Sequence, residues 1–168
     1  LNQATGKMVG YPTYPGFKWD YESGRLGIGP QGQKEDHLSF GVAVSSKGFG
    51  YWTDAANRLI GEMDPATRKI TMFSIPTPNA GPARLFITPQ DQLWFSERNP
   101  SAQKIGVFDL KTKQFKEWDD RPVDPYGIVV DKSGHAWTGG TPTDFVTRLD
   151  PSTGESVRYL LPTVNASV

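Results

Sequence analysis

Asp54 and Glu97 lie 43 residues apart and close two similar stretches, YWTD and WFSE. Carboxylates brought to equivalent places in neighbouring structural units could share a divalent cation with backbone carbonyl oxygens. They could equally be solvated loop ends, or hydrogen-bond partners of neighbouring turns. Arg84 could clamp an anionic group with its planar fork of donors, or simply pair with Glu97 or Asp54. Proton abstraction near neutral pH is best matched by histidine, and the chain has two, His37 and His135. His135 follows a KSG turn, where a surface histidine is expected. His37 stands just before the first apolar run, as a linker residue that could overhang a neighbouring site. Tyr126 would need a heavily perturbed pKa to act as a base instead. With no cysteine, thiolate catalysis, disulfides, cysteine zinc sites and c-type haem attachment are excluded. No phosphate-cradling glycine loop, His-Glu-x-x-His motif or nucleophile elbow occurs, and the glycines of GRLGIGPQG precede no helical pattern.

The elements that must position these residues come from a repeat. Tyr51, Trp94 and Trp137 recur at a spacing of 43, and the same offset links Val44, Ile87 and Val130, then Gly48, Asp91 and Gly134. A later column, Asp64, Asp109 and Asp150, is spaced 45 and 41, so length varies only in the connection after the aromatic residue. These aspartates lead DPAT, DLKT and DPST sequences, in which the side chain caps backbone N–H groups of a turn. Each unit divides into four short alternating runs: FGVAVS, GYWTD, LIGEMD and ITMFSI in the first; RLFIT, QLWFS, KIGVFD and QFKEW in the second; YGIVVD, HAWTG, FVTRLD and SVRYLL in the third. Helical periodicity is nearly absent.

Four strands in about 43 residues, with an aromatic on the second strand, predict an all-β fold of β-propeller blades. A single twisted sheet cannot cover both of its faces, so blades stack and share apolar layers, and the recurrent Tyr or Trp is expected to pack between them. Blades are expected at 38–80, 81–123 and 124–168. Before them, 1–37 should combine an irregular stretch with part of a further blade, because FKWDYESGRLGI resembles TRLDPSTGESVRYL. The count is thus about three and a half blades. Closed propellers need at least four, so the rest of a longer chain, or another chain, is expected to complete the ring. Two copies of this chain would make a ring of seven.

Lys plus Arg and Asp plus Glu both number 18, and no basic run occurs, which makes nucleic acid an unsuitable partner. Gly at 18 and Pro at 14 fit a turn-rich chain. No apolar run approaches the length of a membrane-spanning helix. The first residue is Leu, consistent with a removed leader or a boundary. An NAS acceptor pattern at Asn165 would matter only in a eukaryotic secretory setting.

PYGIVVDKSGHAWTGG with VTRLDPSTGESVRYLLP, and QLWFSE with KIGVFD, resemble the virginiamycin B lyase (streptogramin lyase) family over residues 38 to 162. The resemblance implies a seven-bladed propeller, secreted or periplasmic in a bacterium. It also implies a reaction that opens a cyclic depsipeptide by elimination at its ester, using a histidine base and Mg2+. The family's histidine lies at the start of a first strand and its carboxylate at the end of a second strand, on one face of the ring. Here those positions are Phe40, Ala83 and Tyr126, then Asp54, Glu97 and Gly140. Glu97 matches the carboxylate pattern, and no histidine matches the base. No catalytic residue is therefore assigned.

The expected function is a binding or scaffold module that holds a small molecule, peptide or protein on the face of Phe40, Asp54, Arg84, Glu97 and Tyr126. Asp54 and Glu97 are the metal candidates. A metal-assisted carbon-oxygen lyase with its base in other blades, and a structural subunit of a larger assembly, are the alternatives.

Overall fold

The structure, a computed structural model, describes residues 4–7, 37–140, 143–164 and 166. The partial blade expected around Trp19 and Asp20 lies outside the described residues, as does Asn165. Among the described residues, twelve strands form three four-stranded sheets and no helix occurs. The first sheet holds β1 (Ser39–Val44), β2 (Gly50–Asp54), β3 (Leu59–Met63) and β4 (Ile70–Ser74). The second holds β5 (Pro82–Ile87), β6 (Gln92–Glu97), β7 (Lys104–Asp109) and β8 (Phe115–Asp119). The third holds β9 (Pro125–Val130), β10 (Ala136–Gly140), β11 (Phe145–Leu149) and β12 (Ser156–Leu160). Each sheet is an antiparallel meander in chain order, which is the build of a propeller blade.

The turn aspartates act as their sequence implies. Asp64 accepts from the N–H of Ala66 and the hydroxyl of Thr67, Asp109 from the N–H groups of Lys111 and Thr112, and Asp150 from the N–H and hydroxyl of Ser152. These donors hold all three carboxyls below the usual carboxylate range.

Alternation along each strand sends one side chain set to the preceding blade and the other to the following one. Between the first and second blades lie Tyr51, Ile60, Ile75, Leu93, Phe95 and Phe108, all buried. Between the second and third lie Trp94, Ile105, Ile128, Ala136 and Leu149. Tyr51 and Trp94, two of the recurrent aromatics, are each 3% exposed and pack between blades as expected. Trp137, the third, stacks on Tyr159 with ring centroids 5.6 Å apart. Burying each large apolar side chain contributes about 1.5–3 kcal/mol, so these two layers hold the blades together.

The layers differ chemically at equivalent points. The N–H of Ile75, Asp120 and Leu161 each donates to the carbonyl before its blade's third strand, on Arg58, Gln103 and Asp144. Ile75 therefore fills the first layer where the buried Asp120 enters the second. Opposite Asp120, Thr138 and Thr147 pair across β10 and β11, whereas Phe95 and Gly106 pair at that point of the second blade. Thr138 donates its hydroxyl to Asp120 at 2.9 Å.

Burial pushes the Asp120 carboxyl up to about 6, with the threonine hydroxyl opposing it. The folded chain thus holds a proton that the unfolded chain releases near pH 4, and stability from this group is lost as pH rises from about 4 to 6. Asp120→Asn should flatten that part of the stability curve. Urea denaturation of both proteins at pH 4 and pH 6.5 checks it; parallel curves would contradict it.

Candidate functional site

The three blades share a backbone irregularity at the candidate face. Pairing runs from Ser39 with Asp54 to Val42 with Trp52, and from Pro82 with Glu97 to Leu85 with Phe95, so each first strand carries one extra residue. In the third blade the shift falls between Gly139 with Gly127 and Gly140 with Pro125. A bulge bends the strand and re-aims the side chains beside it. The bulges contain Phe40, Arg84 and Tyr126. Thr53 and Ser96, opposite the first two, lock adjacent blades together: Thr53 donates to the Ala83 carbonyl at 2.6 Å, and Ser96 to the Tyr126 carbonyl at 2.9 Å. These two hydroxyls were missed in the sequence, although they share the 43-residue offset.

Phe40, Arg84 and Tyr126 are brought together. Arg84 donates to the Phe40 carbonyl at 3.0 Å and to the Tyr126 hydroxyl at 2.9 Å, and its guanidinium lies 5.0 Å from the Tyr126 ring centroid. Phe40 meets Tyr126 edge-on with centroids 6.4 Å apart. Arg98, another residue not singled out in the sequence, covers the same ring at 4.6 Å. It forms a two-pronged ion pair with Asp124, at 3.1 and 2.8 Å, which holds its guanidinium above the usual range. Arg84 remains exposed and forms no ion pair with a carboxylate among the described residues, so the expected pairing with Glu97 or Asp54 is not what holds it.

Asp54 is buried and accepts from several donors at once: the His37 ring, the N–H of Leu38 at 3.3 Å, and the Asn57 side chain at 3.1 Å. His37 is thus drawn onto Asp54 just ahead of the first blade. His135 lies elsewhere, beside Asp131 at 3.3 Å and Asp150 at 4.0 Å.

Glu97 is fully buried within the second blade. No donor side chain or N–H among the described residues hydrogen-bonds to its oxygens, and its polar neighbour is another carboxyl, Glu117. Burial, then Glu117, pushes the pKa of Glu97 up to about 8, while Lys104 opposes the shift.

No family model matches the chain, and no curated protein sequence matches it. Solved structures do. The virginiamycin B lyase of Staphylococcus aureus superposes with a TM-score of 0.71 at 29% identity, over 80% of this chain and 45% of that one. The chain is similar to virginiamycin B lyase. A streptogramin B lyase structure gives a TM-score of 0.70 at 27% identity, over 77% of this chain and 42% of the lyase. The chain therefore spans less than half the length of these lyases. The β-propeller domain of Cps50 from Myceliophteria thermophila, at 14% identity and a TM-score of 0.62, shares the fold alone.

Against virginiamycin B lyase, the positions expected for a histidine base hold Phe40, Ala83 and Tyr126. The Mg2+ implied by the resemblance does not fit the two proposed ligands. Asp54 is occupied by its donors, Glu97 is buried where desolvation and Glu117 disfavour its charge, and the partners of the two do not overlap. No group of three His, Asp or Glu side chains able to hold a metal ion occurs among the described residues.

Proposed function

We propose that the chain is a binding module of a β-propeller and that it holds an anionic group of a small molecule or peptide at Arg84. The observation that carries this reading is the state of Arg84 itself. Its guanidinium is fixed by a carbonyl, a phenol and a ring face, yet it stays exposed with no carboxylate among the described residues to neutralise it. A guanidinium already held in place loses less freedom when it grips a carboxylate or phosphate, so more of the contact energy appears as affinity. Phe40 and Tyr126 add apolar surface beside that charge.

Further blades, from a longer form of this chain or from another chain, complete the ring in this proposal. They would cover Val42, 79% exposed on the first blade, and Val129, 54% exposed on the third. A secreted or periplasmic setting belongs to the same proposal and rests on the similarity to virginiamycin B lyase.

Titration calorimetry with citrate, inorganic phosphate and a tetraglutamate peptide tests the binding. At least one should bind, and Arg84→Gln should weaken it about tenfold or more with little change in melting temperature. No binding by any of the three would overturn the reading. Quinupristin, which accompanies an inactive virginiamycin B lyase variant in one related structure, separates binder from enzyme: its opening by this protein would favour the lyase.

A further inference from the structure

A second cleft lies between blades two and three, lined by the turns that carry Gly134, His135 and Asp150. Its counterpart between blades one and two is closed by two latches. Ser46 donates its N–H and hydroxyl to Asp91 at 3.1 and 2.8 Å, and Lys113 forms an ion pair with Glu62. Lys113 also covers the rings of Tyr51, Phe73 and Phe108. What remains there is a space of about 130 Å³.

Between blades two and three, both latches are missing through replacement of all four residues. Pro89 and Gly134 take the places of Ser46 and Asp91, and Val107 and Gly154 those of Glu62 and Lys113. Lys113 and Gly154 both have left-handed backbone, with φ of 59° and 79°. The position therefore already tolerates lysine in one blade. The resulting cleft measures about 480 Å³.

Its lining is chemically specific. Trp118 stacks on Trp94 with centroids 5.5 Å apart and planes inclined by 9°. Trp94 is 3% exposed, and its indole N–H meets no acceptor among the described residues. A buried donor without a partner is uncommon in a folded chain. On the other wall, Asp131 accepts the Trp137 indole N–H at 2.8 Å and lies 3.3 Å from His135 Nδ1. Nε2 stands 4.0 Å from Asp150 Oδ2, too far for a direct hydrogen bond. Asp150 directs its other oxygen to Ser152. An imidazole nitrogen and a carboxylate oxygen side by side match the two hydroxyls of a vicinal diol.

We infer that this cleft binds a pyranose saccharide, with the sugar ring against Trp118 and a vicinal diol across His135 and Asp150. Apolar C–H faces against an indole, combined with a carboxylate and an imidazole, suit a neutral sugar. Lys116 lies 4.5 Å from the Trp118 ring centroid and donates across the cleft to the Pro151 carbonyl at 3.2 Å, so the sugar displaces it from the ring. The site is separate from Arg84, and its success or failure is independent of the anion-binding proposal.

The test is tryptophan fluorescence and titration calorimetry of the intact protein with cellotetraose, tetra-N-acetylchitotetraose and mannotriose. At least one should give a saturable change in emission. Trp118→Ala and Asp150→Asn should each weaken it about tenfold or more. The double variant Val107→Glu with Gly154→Lys rebuilds the latch of the first interface; it should abolish binding while holding or raising the melting temperature, which separates loss of the site from loss of the fold. Saturation by none of the three sugars, or unchanged binding in the latched variant, would overturn the proposal.

Discussion

Gly106→Ala is expected to destabilise the protein by about 3 kcal/mol, at the upper end of overpacking changes. A β-carbon at Gly106 would come within 2.2 Å of the Phe95 ring, closer than any real side chain contact. The ring has nowhere to go. Phe95 is fully buried, pairs with Gly106 across β6 and β7, and meets Phe115 edge-on with centroids 6.1 Å apart. Phe95→Ala should cost about 3–5 kcal/mol by opening the same space from the other side. The pairing makes the two losses non-additive. In Gly106→Ala with Phe95→Leu, the smaller side chain relieves the clash, so the double variant should be more stable than the sum of its two single losses implies. Urea denaturation of the two single variants and the double reports this directly. A Gly106→Ala protein as stable as the parent would show that the glycine is not holding the ring in place.

The second large effect is a pH dependence set by Glu97. Its folded pKa of about 8 exceeds the ordinary value of 4.5, because burial and the neighbouring Glu117 disfavour its charge. Between those limits the folded protein binds more protons than the unfolded chain, so the stability of the fold falls as pH rises. The contribution is complete below about pH 4.5 and is lost as pH climbs through about 8. Each pKa unit corresponds to about 1.4 kcal/mol, which makes the whole change several kcal/mol. Lys104 limits it, since its ammonium lies 3.7 Å from Glu117 and donates to Thr77 at 2.7 Å. Glu97→Gln keeps the shape and removes the titration. Its stability should match the parent near pH 4 and exceed it by several kcal/mol at pH 8.5. A parent that gains stability relative to Glu97→Gln over that interval would reverse the sign and refute the assignment.

The repeat was legible because its columns record backbone requirements that recur in every blade. Tyr51 and Trp94 fill interblade layers, and Asp64, Asp109 and Asp150 cap equivalent turns. The strand boundaries followed from those columns together with period-two alternation. The candidate face was only partly legible. Phe40, Arg84 and Tyr126 share it because of a bulge, and a bulge leaves no clear trace in alternation since it adds one residue within a strand. Glu97 fits a strand-end pattern, but position along a strand does not tell whether a carboxylate emerges or turns inward. Its neighbours decide that, and Glu117 belongs to another strand two ladders away. His37 reached Asp54 through the geometry of a connection, which local sequence leaves open.

The unlike layers on the two sides of the second blade give the chain an order of assembly. Its face toward the first blade offers Glu117, which accepts from the N–H and hydroxyl of Thr77; the equivalent face of the third blade offers Arg158, which donates to the carbonyls of Asp120 and Arg121. An acceptor meets donors at one junction and a donor meets acceptors at the other. Exchanging the second and third blades would bring the Arg158 guanidinium toward the N–H and hydroxyl of Thr77, setting donors against donors. Repeats that are interchangeable in outline are thereby made distinguishable to one another, and a blade that docks on the wrong neighbour during folding finds its polar groups unanswered.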